Sequence, residues 1–277
     1  MHQPSLVYFL NMAVEGADLS PIEFLQLVGD PQRWQLLVEL AGSDRRVGEL
    51  TELCGKQQNL VSYHLGELRR AGLVSSRRSS ADRRDTYYRI DVPRCTELFC
   101  AAGASLQPGL RLGPRTADQA PTRGRPPRVL FLCTGNSARS QMAEALLRER
   151  SGGAFEARSA GSHPKTLHAN AVRVMAERGI DISGRPTKQM NRFARNRFDR
   201  VITLCDKVRE LCPEFPGQPT TSHWSMPDPA ADTDADNDVA SYPAFVRTAD
   251  ELETRVELLI AQLTAQLTAQ PSERRAS

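Results

Sequence analysis

Eight residues, Cys133-Thr134-Gly135-Asn136-Ser137-Ala138-Arg139-Ser140, lie between two segments of different periodicity. Before them, Val129-Leu130-Phe131-Leu132 is a continuous apolar run, the pattern of a strand buried on both faces. After them, Gln141-Met142-Ala143-Glu144-Ala145-Leu146-Leu147-Arg148 is rich in helix formers, with apolar residues three and four apart. The order is therefore strand, small-residue loop, helix. Backbone amides of such a loop, running into a helix N-terminus, form an anion cradle. The same field favours a thiolate, which makes Cys133 the candidate nucleophile. Arg139, six residues on, can hold two oxygens of a tetrahedral oxyanion bidentately. Thr134, Gly135, Asn136, Ser137, Ala138, Arg139 and Ser140 form the expected oxyanion-binding set. A nucleotide-type phosphate loop is excluded, because the Gly-Lys-Ser/Thr ending is missing. The bland alternative, a structural cysteine buried in a turn, does not account for the strand–loop–helix context.

The length of 277 residues is enough for two domains, and the hydrophobic content of 40% is that of a globular protein. With a net charge of +3, no global charge argument for nucleic acid holds. Residues 1–19 contain acids and no basic n-region, so no signal peptide is expected, and no apolar stretch reaches membrane-spanning length. The expected compartment is the cytoplasm. There, six cysteines are reactive or ligating thiols more often than structural disulfides. They divide evenly: Cys54, Cys95 and Cys100 in the first half, Cys133, Cys205 and Cys212 in the second.

After an unpatterned tail (1–20), helical spacing begins at Pro21, and Asp30-Pro31 reads as an N-cap followed by proline at the first helical position. A short helix is expected over Val47–Cys54, closed by Gly55. A second is expected over Gln57–Ala71, with Leu60, Val61, Leu65 and Leu68 on one face and Gly72 ending it. Two helices joined at Gly55-Lys56 make a helix-turn-helix. Leu73–Arg78 and Thr86–Ile90 then read as a hairpin wing with a polar tip, Ser79–Asp85. The arginines at 69, 70, 77, 78, 83, 84 and 89 make a local basic patch, the footprint of phosphate contacts. Gln57, Gln58, Asn59, Ser62, Tyr63, Arg69, Arg83 and Arg84 are the expected DNA contacts. A solvated arginine-rich hairpin is the alternative for the wing alone.

Residues 104–127 are rich in Pro, Gly and Arg and read as a flexible linker. From 128 to 267 strands and helices alternate. Strands are expected at Phe155–Ser159, Asp199–Leu204 and Thr220–His223, and helices over Asn170–Arg178 and about Tyr242–Gln266. That order predicts an α/β doubly wound parallel sheet with its ligand at the carboxyl ends of the strands. The fold class is therefore an α+β winged helix-turn-helix domain (21–103) followed by an α/β domain, with a disordered tail over 268–277.

Both halves resemble known families. Val61-Ser62-x-His64-Leu65-x-x-Leu68-x-x-Ala71-Gly72-Leu73-Val74 resembles the winged-helix repressors of the ArsR/SmtB type. The resemblance implies operator DNA as a partner, a homodimer through the helices flanking the winged core, and residues 57–63 in the major groove. His64 reads as a packing residue. Arg46-Val47-Gly48 occupies the place where arsenic-sensing members often carry a Cys-x-Cys pair. A metalloid site from Cys95 and Cys100, with Cys54, is the remaining expectation, because soft centres choose thiolates. Small buried hydrophobes are the competing reading of these three.

In the second half, the Cys133–Ser140 loop with Gln141-Met142-Ala143-Glu144 resembles the low-molecular-weight protein tyrosine phosphatase fold, and within it the thioredoxin-coupled arsenate reductases. Cys205-x6-Cys212-Pro213 resembles the second mark of that branch. The resemblance implies a three-thiol relay in which Cys133, Cys205 and Cys212 act in turn on arsenate, arsenite is released, and thioredoxin or another thiol carrier is the external reductant. No tightly bound cofactor is expected. Asp228, in Met226-Pro227-Asp228-Pro229, resembles the family's general acid. Ala230-Ala231-Asp232 follows where phosphotyrosine enzymes carry aromatics, which favours a small inorganic oxyanion. Asn136, Glu144 and Ser159 match a potassium site of some reductases, but Lys188 stands where an acid is expected, so an ammonium replaces the cation. The chain reads as an arsenic-responsive repressor fused to an arsenate reductase. The alternatives are a protein tyrosine phosphatase tethered to a DNA-binding domain, and a regulator whose second domain senses an oxyanion or redox state without turnover.

Overall fold

The computed structural model describes residues 19–106, 125–231 and 238–269, in two compact units, Met1–Arg115 and Thr116–Ser277. The expected tail over 1–18, most of the linker and the last eight residues lie outside the described residues.

The first unit begins with α1 (Pro21–Val28), which carries a reciprocal cap: Ser20 accepts from the Glu23 amide, and Glu23 accepts from the Ser20 amide. Ser20 thus belongs to the domain and not to the tail. In α2 (Pro31–Gly42), Asp30 Oδ1 accepts from the amides of Gln32 and Arg33, as the Asp-Pro pair predicts. α3 (Val47–Cys54) ends at Gly55, whose φ of 60° is the left-handed conformation that glycine adopts without penalty. α4 (Gln58–Arg70) follows at once, so the two-helix motif is as expected. β2 (Val74–Arg78) and β3 (Thr86–Ile90) pair antiparallel in the register Val74–Ile90 to Arg78–Thr86. A two-residue strand that periodicity cannot detect, β1 (Arg45–Arg46), pairs with Tyr88 and Tyr87 on the other edge of β3. α5 (Val92–Leu106) closes the unit and runs three residues past the expected boundary at 103. The core is Phe24, Leu36, Leu40, Leu50, Leu65, Leu68 and Leu73, all essentially inaccessible, with Phe99 edge-on to Phe24 at 4.8 Å between ring centroids.

The second unit is built on a four-stranded parallel sheet in the order β5-β4-β6-β7, where β4 is Arg128–Cys133, β5 Glu156–Gly161, β6 Arg200–Thr203 and β7 Thr220–His223. β4 is central, and Val129 to Leu132 are all fully buried, which is why they read as an uninterrupted apolar run. From β4 the chain first passes to one neighbour, β5, and later to the other, β6. The carboxyl end of β4 is therefore the topological switch point, the place where doubly wound sheets bind ligands. α6 (Arg139–Arg150) starts there and is buried on every face from Arg139 to Leu147. It packs against β4, β5 and α9 (Asp238–Ala269), while α7 (Ala169–Ala176) also leans on α9. α8 (Asp206–Leu211) follows β6 directly. α9 starts a turn earlier than Tyr242, takes Pro243 into the helix at the cost of one intrahelical hydrogen bond, and continues through Ala269, into the expected tail.

Candidate functional site

Cys133 ends β4 and is buried. Its Sγ accepts the Asn136 amide at 3.2 Å and lies 3.0 Å from Ser140 Oγ, so the sulfur is held by two polar groups within the loop. The loop's carbonyls are turned outward and occupied. Those of Cys133, Thr134, Gly135 and Ser137 accept the amides of Ser162, His163, Lys165 and His168, at 2.9 to 3.3 Å. The Gly135, Ser137 and Ala138 amides make no hydrogen bond to protein among the described residues. With carbonyls clamped from behind, amides and the start of α6 define a concave positive site, the arrangement suited to a tetrahedral oxyanion. The 162–168 segment has no regular periodicity, so its role is not visible in the sequence. Its one signal is Gly161, which ends β5. A Cβ there would sit 2.6 Å from Thr134 O and 2.8 Å from Asn136 N. The stem of Lys165 packs over Gly135 and adds a cation beside the loop.

Asn136 is the loop's hub. It adopts a φ of 47°, which asparagine tolerates better than most residues. Its Nδ2 donates to Ser140 Oγ and Ser159 Oγ, both at 2.9 Å, and its Oδ1 accepts the Lys188 amide at 2.7 Å. Ser159 in turn donates to Glu144 Oε2 at 2.5 Å, and Lys188 Nζ reaches that same oxygen at 3.0 Å. The buried Glu144 carboxylate also receives Arg148 at 2.9 Å. An ammonium of the chain itself thus sits with Asn136, Glu144 and Ser159, in the position expected for Lys188.

Arg139 is buried at the first turn of α6. Its Nη1 donates to Met226 O at 3.0 Å and its Nη2 pairs with Asp228 Oδ2 at 3.0 Å. The loop's arginine and the expected general acid therefore meet, although they are far apart in sequence; the Asp228 side chain is half exposed at the mouth. Cys205 caps the start of α8, with its Sγ 3.2 Å from Thr134 Oγ1. Burial pushes its thiol pKa up, and the positive charge of Arg139 and the Thr134 hydroxyl pull it back. Cys212 ends the same helix, and burial pushes its thiol up to about 11. Behind α8 lies a buried polar network that the sequence did not reveal. Asp206 Oδ1 accepts from Ser225 Oγ at 2.6 Å and lies 3.1 Å from His223 Nε2, which ties the start of α8 to the strand that leads to Asp228.

In the first unit the expected DNA contacts Gln57, Gln58, Asn59, Ser62, Tyr63, Arg69, Arg83 and Arg84 are all exposed, the first five at the N-terminal end of α4. Arg84 is paired with Asp82 at 2.7 Å, and Asp82 is drawn down to about 2 by that hydrogen bond. His64 is buried beneath them, a packing residue. Cys54, Cys95 and Cys100 form no disulfide and lie at separate places: the end of α3, the core face of α5 and a half-buried position of α5. No group of three or more metal-ligating side chains forms among the described residues, so the expected metalloid triad is not assembled within the chain. The physical reason is that residues five apart on a regular helix are offset by about 140°.

A thiol at the end of a buried parallel strand, an amide-lined loop and an arginine on the next helix define a cysteine-based oxyanion site of the C-x5-R class. The family model for low molecular weight phosphotyrosine protein phosphatase matches residues 128–269, and the chain belongs to that family. The family model for bacterial regulatory proteins of the arsR family matches residues 30–76, so the first unit is an arsR-type helix-turn-helix domain. The chain is 38% identical over 129 residues to a Brevibacillus brevis protein named arsenate reductase, covering 47% of this chain and 90% of that one. A Bacillus subtilis protein of the same name is 36% identical over 129 residues, with 47% and 91% covered. A solved structure described as an arsenate reductase in the phosphate binding state is 32% identical, with 49% of this chain and 98% of that chain covered and a TM-score of 0.43. No helix among the described residues is long and apolar enough to cross a membrane.

Proposed function

We propose that the second unit reduces arsenate to arsenite through a three-thiol relay, and that the first unit is a dimeric repressor that holds operator DNA. The observation that carries the reading is Cys205. A phosphatase needs no second thiol, yet here one lies against the second residue of the loop.

The Cys133 thiolate attacks the arsenic of a bound arsenate and forms an S–As bond. Asp228 gives a proton to the departing oxygen, which leaves as water. The Cys205 thiolate then attacks Cys133 Sγ. The S–As electron pair returns to arsenic, which departs as arsenite, and a Cys133–Cys205 disulfide remains. Cys212 attacks Cys205, frees the Cys133 thiolate and leaves a Cys205–Cys212 disulfide for an external dithiol such as thioredoxin. While α8 is helical, residues seven apart lie roughly 10 Å apart along its axis. A disulfide requires Cα atoms within about 7 Å. The last transfer therefore unwinds α8, and unwinding also releases Cys212 from the burial that keeps it protonated.

For the first unit, exposed Gln57–Asn59, Ser62 and Tyr63 on α4 suit base edges, and the wing arginines suit phosphates. Exposed Ile22 and Leu25 on α1 and Leu106 on α5 suit a homodimer interface between the flanking helices.

The test is NADPH consumption with arsenate, thioredoxin and thioredoxin reductase, in wild type, Cys205→Ser and Cys212→Ser. Turnover in wild type that both substitutions abolish is the expected result. Hydrolysis of a phosphotyrosine substrate that survives both substitutions, without arsenate turnover, would overturn the relay.

A further inference from the structure

Beside Glu144, the second unit contains a cavity of about 520 Å³ that none of the steps above uses. Arg128, Arg148, Arg158, Arg185, Lys188 and Arg192 line it, and Glu144 is the one carboxylate in its wall. Two carboxylates pair with four of these six cations, and a third, Asp181, acts on Arg185 through space. Glu144 takes Arg148 at 2.9 Å and Lys188 at 3.0 Å, and Glu156 takes Arg128 at 3.1 Å and Arg158 at 3.0 Å. Arg185 approaches Glu144 only to 4.0 Å, and its Nη1 is buried without a hydrogen-bond partner among the described residues. Arg192 has no ion pair among the described residues. Gathering this much like charge in one concavity costs energy unless an anion offsets it.

We propose that this cavity is a second anion site, for a multiply charged anion of the phosphate class. Its volume, against roughly 30 Å³ for the share of one water in the liquid, exceeds what a single tetrahedral oxyanion fills and suits linked phosphate groups. Guanidinium groups in its wall supply the bidentate geometry that phosphate oxygens take. Position gives the site a consequence. The ligand competes for Lys188 and Arg185 with Glu144, which through Ser159 holds Asn136 in the catalytic loop.

Pyrophosphate is the probe, titrated calorimetrically into the full chain. Wild type is expected to show two sites, the loop and the cavity. Arg139→Ala, which disables the loop, is expected to keep one saturable site. Adding Arg158→Ala and Arg192→Ala, both exposed and neither bonded to the loop, is expected to weaken that site at least tenfold while leaving the melting temperature of the unliganded protein unchanged. A single site in wild type with none left in Arg139→Ala would overturn the proposal, as would equal pyrophosphate affinity with and without the two cavity arginines. Because the readout is binding, failure of the arsenate assay leaves this test intact.

Discussion

Each unit of this protein holds three cysteines, and the two sets fare differently. Cys133 and Cys205 lie on either side of one loop residue, Thr134, and Cys212 closes the helix that Cys205 opens. Cys54, Cys95 and Cys100 share neither an element end nor a field. Cys95 faces a hydrophobic core, where burial pushes its thiol up to about 12, and Cys54 is raised by burial and by the charge of Glu39. The difference teaches that a thiol acquires chemistry from what surrounds it: amides aimed at the sulfur, a cation within reach, a second thiol beyond it. Those surroundings exist in the second unit and are missing in the first.

The strongest way to break this contrast is to replace Cys133. Cys133→Ser is expected to lower arsenate turnover by on the order of 10⁴ or more, as loss of a nucleophile does elsewhere, while phosphate binding to the loop persists. Residual turnover within tenfold of wild type would mean that the loop only binds. Next in size is the brace behind the loop. Lys188→Met leaves the buried Glu144 carboxylate without its nearest ammonium, and removing one partner of a buried pair costs about 3 kcal/mol. Urea denaturation should show that loss, and the Michaelis constant for arsenate should rise. In wild type, exchanging sodium for potassium at constant ionic strength should change neither quantity, because the chain supplies its own cation.

A smaller effect sharpens the contrast among the relay thiols. With a pKa of about 11, Cys212 carries about one thiolate per thousand at pH 8. Its alkylation by iodoacetamide in Cys133→Ser/Cys205→Ser should therefore rise nearly tenfold per pH unit from pH 8 and level off near 11. A rate already level at pH 8 would show a Cys212 that is exposed before any disulfide forms. The smallest effect is expected in the first unit. Cys95→Ser/Cys100→Ser should leave the arsenite concentration that releases operator DNA unchanged, read by fluorescence anisotropy, at a stability cost of about 1–2 kcal/mol for a hydroxyl placed at the buried Cys95 position. A large shift in that concentration would mean that these thiols meet across a dimer.

The sequence carried the parts of this molecule whose physics is local. The apolar run of β4, the small residues of the loop, the Asp30-Pro31 helix start and the hairpin wing all follow from nearest neighbours along the chain. So do Cys133 and Arg139, because the loop itself brings them together. Family resemblance extended the reading to Asp228, Cys205 and Lys188, which the fold delivers from 55 to 95 residues away from the nucleophile. Three features stayed hidden because they depend on tertiary placement of residues with no pattern of their own. The clamp of 162–168 on the loop carbonyls is backbone to irregular backbone. The Asp206–His223–Ser225 network joins one helix to the strand beside it. β1 is two residues long and exists only because β3 offers an open edge. The metalloid expectation is not met within one chain, because a regular helix sets Cys95 and Cys100 about 140° apart around its axis, so only a partner subunit could bring such thiols together.

Gly161 carries a consequence for chains other than this one. The eight-residue motif can be copied intact into a descendant that has lost its chemistry, if that descendant gains any side chain at the end of β5. An alanine there would press on Thr134 O from 2.6 Å and push the loop out of shape, while every residue a motif search inspects stayed in place. Among proteins with this loop, pseudoenzymes are therefore to be recognised one strand away from the cysteine, by what stands at the position of Gly161.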